Sequence, residues 1–367
     1  SPCIFDNNPD TTGSVECGAV VIHPSQMDTV AWKEYSILIC TTSINEVVKQ
    51  LKSFNVENKN IILSPLLFDT FRITSFEDQK FHFFLGSGLQ NITTDQKVEG
   101  GGLYEIQGVT SDVSIKKIIS SPTHAISEFD DKYLLVTEKY GVAIADKNFH
   151  IIRSIAIPDG RRPHGIAFWK NQNYAVVACS YSDSLLYLDL DTGKLIAEIA
   201  ISEKYITNNS SAQHHCNDIC ISSDYAFVSC FSVSGHWKRG IFDGGIIVID
   251  LRAQKVVDRI NLSLSMPHSV QFFHDDLLIL DSLPGLVLAS GFKPIAQLPG
   301  FTRGFAQSSS GALLIGQSRN RNYSRLQSKS LNISLDNSVV LFDQETKASK
   351  TINLPNGISE IHAIHAL

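Results

Sequence analysis

This sequence has no long apolar run. Nothing in its 367 residues approaches the ~18 consecutive apolar positions of a membrane-crossing helix, so no membrane span is expected. It has no excess of positive charge either. Lysine and arginine number 31 against 37 for aspartate and glutamate, which offers a phosphate backbone no general hold, and no nucleic-acid partner is expected. Zinc-ribbon and redox CxxC spacings are missing among the seven cysteines. Cys179, Cys220 and Cys230 fall within strand-like runs and read as small buried residues, which suits a reducing, cytoplasmic compartment. No secretory signal is recognisable, so the sequons at Asn91, Asn208 and Asn332 carry no expectation of glycosylation. A Gly-rich turn between strand and helix, which would cradle a pyrophosphate, is also lacking, and no nicotinamide cofactor is expected. Nothing resembles a nucleophile elbow.

What is present is a pattern that recurs six times: one polar residue, a small residue or acid, then a short apolar strand. It reads THAIS at His124, PHGIAF at His164, CNDICI at Asn217, PHSVQF at His268, TRGFAQ at Arg303 and IHAIHAL at His362. His214 and His215 precede Asn217. The heads fall 40, 53, 51, 35 and 59 residues apart, close to a propeller blade length. Between them, stretches such as NYAVVACSYSDSLLYLDLDTGKLIAEIAI offer three further strands, with DLDTGK and DLRAQK as tight turns. Residues 80–120 supply three strands (FHFFLGS, GGLYEIQG, SIKKIIS), and IHAIHAL is a single strand able to complete that blade. FRITSF at 71–76 is a rival for the same place, and seven blades is the alternative count.

Residues 1–70 follow a different rhythm. CGAVVIHP, YSILICTT and NIILSP read as short buried strands, and Val47, Val48 and Leu51 recur at helical spacing after Ser43 as N-cap. The expected fold is thus mainly β: a six-bladed β-propeller over 71–367, closed by the C-terminal strand, with a small incomplete α/β Rossmann-like domain over 1–70. That first piece resembles the later part of the Rossmann-type domains attached to sugar-processing and polysaccharide proteins. From Asn217 to Arg321 the phrases NDI, SCFSVSGHW, GGIIVID, MPHSVQFFHDDLLILDS, LPGFTRGFA and LLIGQSRNR resemble an uncharacterised bacterial propeller family, domain of unknown function 4915. The resemblance implies a propeller and brings no activity.

In a propeller the six heads meet around one axis. His124, His164, His268 and His362 are then candidate ligands for a divalent metal (Zn, Mn or Fe), because several neutral imidazoles converge. Second-strand ends lie on the same face, which adds Glu138 and Asp281 as candidate bases, beside His164 and His268 as proton-transfer residues. Arg303, Asn217, His215, Trp237, Arg319 and Arg321 are candidate ligand-binding residues, the guanidinium forks suiting carboxylate or phosphate and the indole suiting a sugar face. The function expected is binding of an anionic carbohydrate or sugar phosphate, with metal-assisted lyase or hydrolase chemistry as an extension. A non-enzymatic platform for a partner enzyme or glycan is the alternative.

Overall fold

A computed structural model of the chain describes residues 3–16, 18–29, 35–41, 43–64, 76, 79–88, 101–202, 213–273, 276–289, 291–320, 322, 324 and 332–367. The chain divides into two compact units, Ser1–Asp78 and Gln79–Leu367.

In the first unit Ile37–Ile39 and Ile61–Leu63 pair in parallel. Parallel neighbours need a crossover, and the helix Ile44–Ser53 supplies it. Its Ile44 and Leu51 are buried with Ile39 and Val56, and Val47 and Val48 pack beside them, as residues on one helical face must. Ser43 holds the N-cap position, though its side chain makes no cap hydrogen bond. The AVVI run forms a separate sheet: Ala19–Ile22 lies parallel to Cys3–Phe5 and antiparallel to Val15–Glu16. The α/β structure thus amounts to one β/α/β crossover, and a continuous parallel sheet is absent among the described residues.

Among the described residues the second unit holds six four-stranded antiparallel sheets. Their first strands are Thr123–Phe129, Pro163–Trp169, Cys216–Ser222, Pro267–Phe273, Phe301–Gln307 and Glu360–Ala366. In five sheets the following three strands in the sequence complete the set; in the sixth, Glu360–Ala366 pairs with Phe81–Gly88 near the start of the unit. Each first strand packs on the next in chain order, and Glu360–Ala366 packs on both Phe301–Gln307 and Thr123–Phe129. Of the rival segment 71–76, only Phe76 lies among the described residues.

Burial explains the strand sequences. Second and third strands lie between neighbouring sheets and are apolar on both faces, as Leu134, Leu135 and Val136 or Ala175, Val176 and Val177 show. Val176, Ala178, Leu185 and Tyr187 of one sheet interleave with Val228, Ile247 and Ile249 of the next, and each fully buried Val, Leu or Ile among them contributes about 1.5–3 kcal/mol. Fourth strands are outermost and mostly exposed, as in Lys255–Leu264. The turn before Lys194–Ala200 is held by Asp189, whose Oδ1 accepts from the Asp191 and Thr192 N–H groups; Asp250 does the same for Arg252 and Ala253. The six described cysteines are free thiols, with Cys179, Cys216 and Cys230 buried. No helix among the described residues is long and apolar enough to cross a membrane.

Candidate functional site

At the head of every first strand the ladder to the second strand skips. The unpaired residues are His124, His164, Asn217 with Asp218, Ser269 with Val270 just after His268, Arg303 with Gly304, and His362. Each polar head therefore sits in or beside a β-bulge. A bulge bends the strand and frees one side chain from strict alternation, which lets the heads turn toward a shared centre. Gly304 takes a left-handed φ of +79° in its bulge, a conformation open to glycine at no steric cost.

Three of the heads meet. One ring nitrogen from each of His124, His164 and His362 lies within 4.8 Å of the others, and all three residues are buried. The Nδ1 atoms of His124 and His362 face each other at 3.1 Å. Their outer nitrogens turn to carboxylates: His362 Nε2–H donates to Glu360 Oε2 at 3.2 Å, and His124 Nε2 faces Glu138 Oε1 at 3.6 Å. Gly88 lies opposite, where a Cβ would overlap His362 Nε2 and displace the ring. The buried Arg303 donates from Nη2 to His164 Nδ1 at 3.0 Å, so His164 is an acceptor at that nitrogen. Burial first, and then the charge of Arg303, hold the His164 and His362 imidazoles well below their usual range. Contact with His124 holds the Glu138 carboxyl down.

His215 extends the cluster, its ring centroid 6.5 Å from that of His164. It lies between Phe231 at 4.4 Å and Trp237 at 4.5 Å. Burial, helped by Arg162 and Arg303, lowers its pKa to about 3. Among the described residues its Nδ1 and the Oδ1 of Asn217 are buried and make no hydrogen bond. Asn217 itself donates from Nδ2 to the His215 carbonyl at 3.1 Å.

The remaining sequence candidates stand apart. His268 is outside the triad; its Nδ1 is bound to the Met266 carbonyl at 2.9 Å and Ser282 Oγ at 2.8 Å. Asp281 Oδ1 accepts the Ser265 N–H at 2.6 Å, which fixes the turn leading into that strand. Arg319 is exposed, and its backbone N–H donates to Asn337. Arg321 lies outside the described residues.

Three carboxylates were not anticipated. Glu360 is two residues before His362, and strand alternation alone puts both on one face. Asp218, beside Asn217 in the bulge, accepts the Ser269 N–H at 2.7 Å; burial pushes its carboxyl up while Arg303 works the other way. Asp183 is fully buried and accepts backbone N–H groups of His214, His215 and Cys216 at 2.7, 2.8 and 3.3 Å, as well as that of Gln213. It shapes the loop that presents His215, and no local sequence pattern marks it.

A cavity of about 550 Å³ opens beside His124 and Glu138, lined also by Lys139, Tyr140, Asp159 and Arg162. At its rim Arg162 lies over the ring of the half-exposed Tyr181 at 4.8 Å and donates to its hydroxyl at 2.6 Å.

Four-stranded sheets whose first strands pack one on the next, with three of the polar strand heads in contact, describe a propeller-like protein. The family model for a domain of unknown function, DUF4915, matches residues 103–367, and the chain belongs to that family. Among solved structures, a protein of unknown function from Bacteroides caccae is similar at 14% identity and a TM-score of 0.52, over 79% of this chain and 99% of that one. A chain of a nidogen/laminin complex is similar at 11% identity and a TM-score of 0.53, over 78% and 97%. Likeness at these identities shows the fold alone. No curated protein matches.

Proposed function

We propose that the second unit is a closed six-bladed propeller whose axial end binds a small anionic ligand, with an acidic sugar or sugar phosphate as the class. The observation that carries this reading is the buried Arg303 donating to His164 within a set of imidazoles held neutral. A guanidinium stays charged at any working pH, and its planar fork fits carboxylate or phosphate. Neutral imidazoles around it add hydrogen-bonding nitrogens without competing positive charge. Asn217 Oδ1 and His215 Nδ1 suit sugar hydroxyls, since buried polar atoms without partners favour a ligand that pairs them. Tyr140 and Arg162 in the adjoining cavity give a ring and a second cation at the approach.

The test is calorimetry and thermal melting with glucuronate, glucose 1-phosphate and glucose. Binding of one or both acidic compounds is expected, with glucose inert. Arg303→Gln should weaken that binding roughly 10- to 100-fold, the loss of a charge-assisted hydrogen bond of about 1.5–3 kcal/mol. Equal binding of glucose, or unchanged affinity in Arg303→Gln, would refute the reading.

A further inference from the structure

We infer that His124 and His362 form the core of a divalent-cation site, with His164 as its third imidazole. The facing pair of ring nitrogens points to this site independently of any anionic ligand. His362 donates its Nε2 proton to Glu360, so in the neutral ring Nδ1 carries a lone pair. His124 Nε2 faces Glu138 Oε1 at 3.6 Å, too long for a hydrogen bond to fix its tautomer. The two Nδ1 atoms, 3.1 Å apart, share a hydrogen bond when His124 carries its proton on Nδ1, and become two converging lone pairs when that proton moves to Nε2 beside Glu138. A divalent ion between the two nitrogens would take the place of that proton.

The spacing fits a metal. Two imidazole nitrogens each about 2.0–2.1 Å from one zinc-like ion at a near-tetrahedral angle lie roughly 3.3–3.4 Å apart. The outer carboxylates complete the arrangement by which ligating histidines are usually oriented, the second ring nitrogen donating to an acid. Glu138 and Glu360, each beside one of these rings, add negative charge where a dication would sit. To join the ion His164 must move in from a nitrogen spacing of up to 4.8 Å, and its Nδ1 is available only once the bond from Arg303 is given up. Neutral imidazole ligands select zinc, nickel, copper or iron over magnesium and calcium.

Chelator-treated full-length chain is titrated with Co²⁺ in the absence of any sugar, followed by ligand-field absorption and elemental analysis. One equivalent per chain is expected, displaced by Zn²⁺, with a rise in melting temperature. His124→Gln and His362→Gln should abolish uptake. Glu360→Gln, which keeps the imidazole in place, should lower affinity about 10- to 100-fold with the metal-free melting temperature little changed. Absence of uptake would mean that a proton bridges the two nitrogens, and it overturns the assignment. Uptake that Glu360→Gln and His362→Gln both leave at wild-type affinity overturns it equally.

Discussion

Substituting Gly88 by alanine tests whether His362 is held in the bulge as described. The three atoms nearest a Cβ at Gly88 are His362 Nε2, His362 Cδ2 and Glu360 Oε2, all of them side-chain atoms. Gly88 ends the strand Phe81–Gly88 and needs no left-handed backbone, so alanine meets no conformational penalty there. It meets the imidazole first and, at 3.2 Å, the Glu360 carboxylate. To accommodate the methyl group the ring must swing away from Glu360, losing a charge-assisted hydrogen bond of about 1.5–3 kcal/mol and the contact with His124. Against this, Gly→Ala at a compatible position gains roughly 0.4–1 kcal/mol by restricting the unfolded chain. A net loss of about 1–2 kcal/mol is expected for Gly88→Ala. In a His362→Ala background the main obstruction is gone and the flexible Glu360 side chain can shift by a few tenths of an ångström, so the same change should be neutral or slightly stabilising. The assay is a double-mutant cycle by urea unfolding, where the coupling between the two sites is expected at about 1.5–3 kcal/mol. Equal costs in both backgrounds would show that His362 does not occupy the space over Gly88.

Two further outcomes follow from the buried polar groups. His215 has its folded pKa lowered to about 3 from 6.5, so its neutral form is favoured in the folded protein. The stability it contributes is present above pH 6.5 and is lost as pH falls toward 3, with a slope of up to about 1.4 kcal/mol per pH unit. His164 and His362 are shifted the same way; urea midpoints of chelator-treated protein should fall from pH 7 to 5, less steeply in His215→Gln, and a flat profile contradicts the burial. Asp183→Asn replaces a carboxylate that accepts several backbone N–H groups with an amide that can accept on one side only. Asparagine tolerates the positive φ of 47° at this position, so a loss of roughly 2–4 kcal/mol in urea unfolding reports the hydrogen bonds themselves.

The sheet architecture was legible because it is written redundantly. Six polar heads, each followed by apolar strands and Asp- or Gly-bearing turns, leave few alternative folds, and IHAIHAL had one open edge to join. The site was legible only in outline. His124, His164, His268 and His362 carry the same sequence signal, yet the first, second and fourth converge while His268 is turned aside by its bonds to Met266 and Ser282. The difference lies in where each ladder skips. In the strand of His268 the unpaired residues are the two that follow it, whereas His124, His164 and His362 are themselves unpaired. A bulge leaves no mark on composition or alternation, so its placement is set by tertiary packing. Asp218 shows the same effect: alternation separates it from Asn217, and the shared bulge puts it in the field of Arg303. Glu360 could have been found, since it lies at i−2 from a candidate ligand on a strand.

The charges around the axis divide it into two halves, and that division makes the two proposed ligands interdependent. On one side Arg303 bonds His164; on the other, the facing rings of His124 and His362 are backed by Glu138 and Glu360. A cation taken up by the imidazoles adds positive charge next to the guanidinium, which favours an anion there. If His164 turns to the metal, the Arg303 donor it held becomes available to that same anion. Binding of Zn²⁺ and of glucuronate should therefore be positively coupled, and by linkage each must strengthen the other by the same factor, on the order of 5- to 150-fold. Calorimetric titration of each ligand with and without saturating amounts of the other measures both factors. Affinities that do not change, or Arg303→Gln leaving the coupling intact, would mean that the guanidinium and the imidazole pair do not act on a common site.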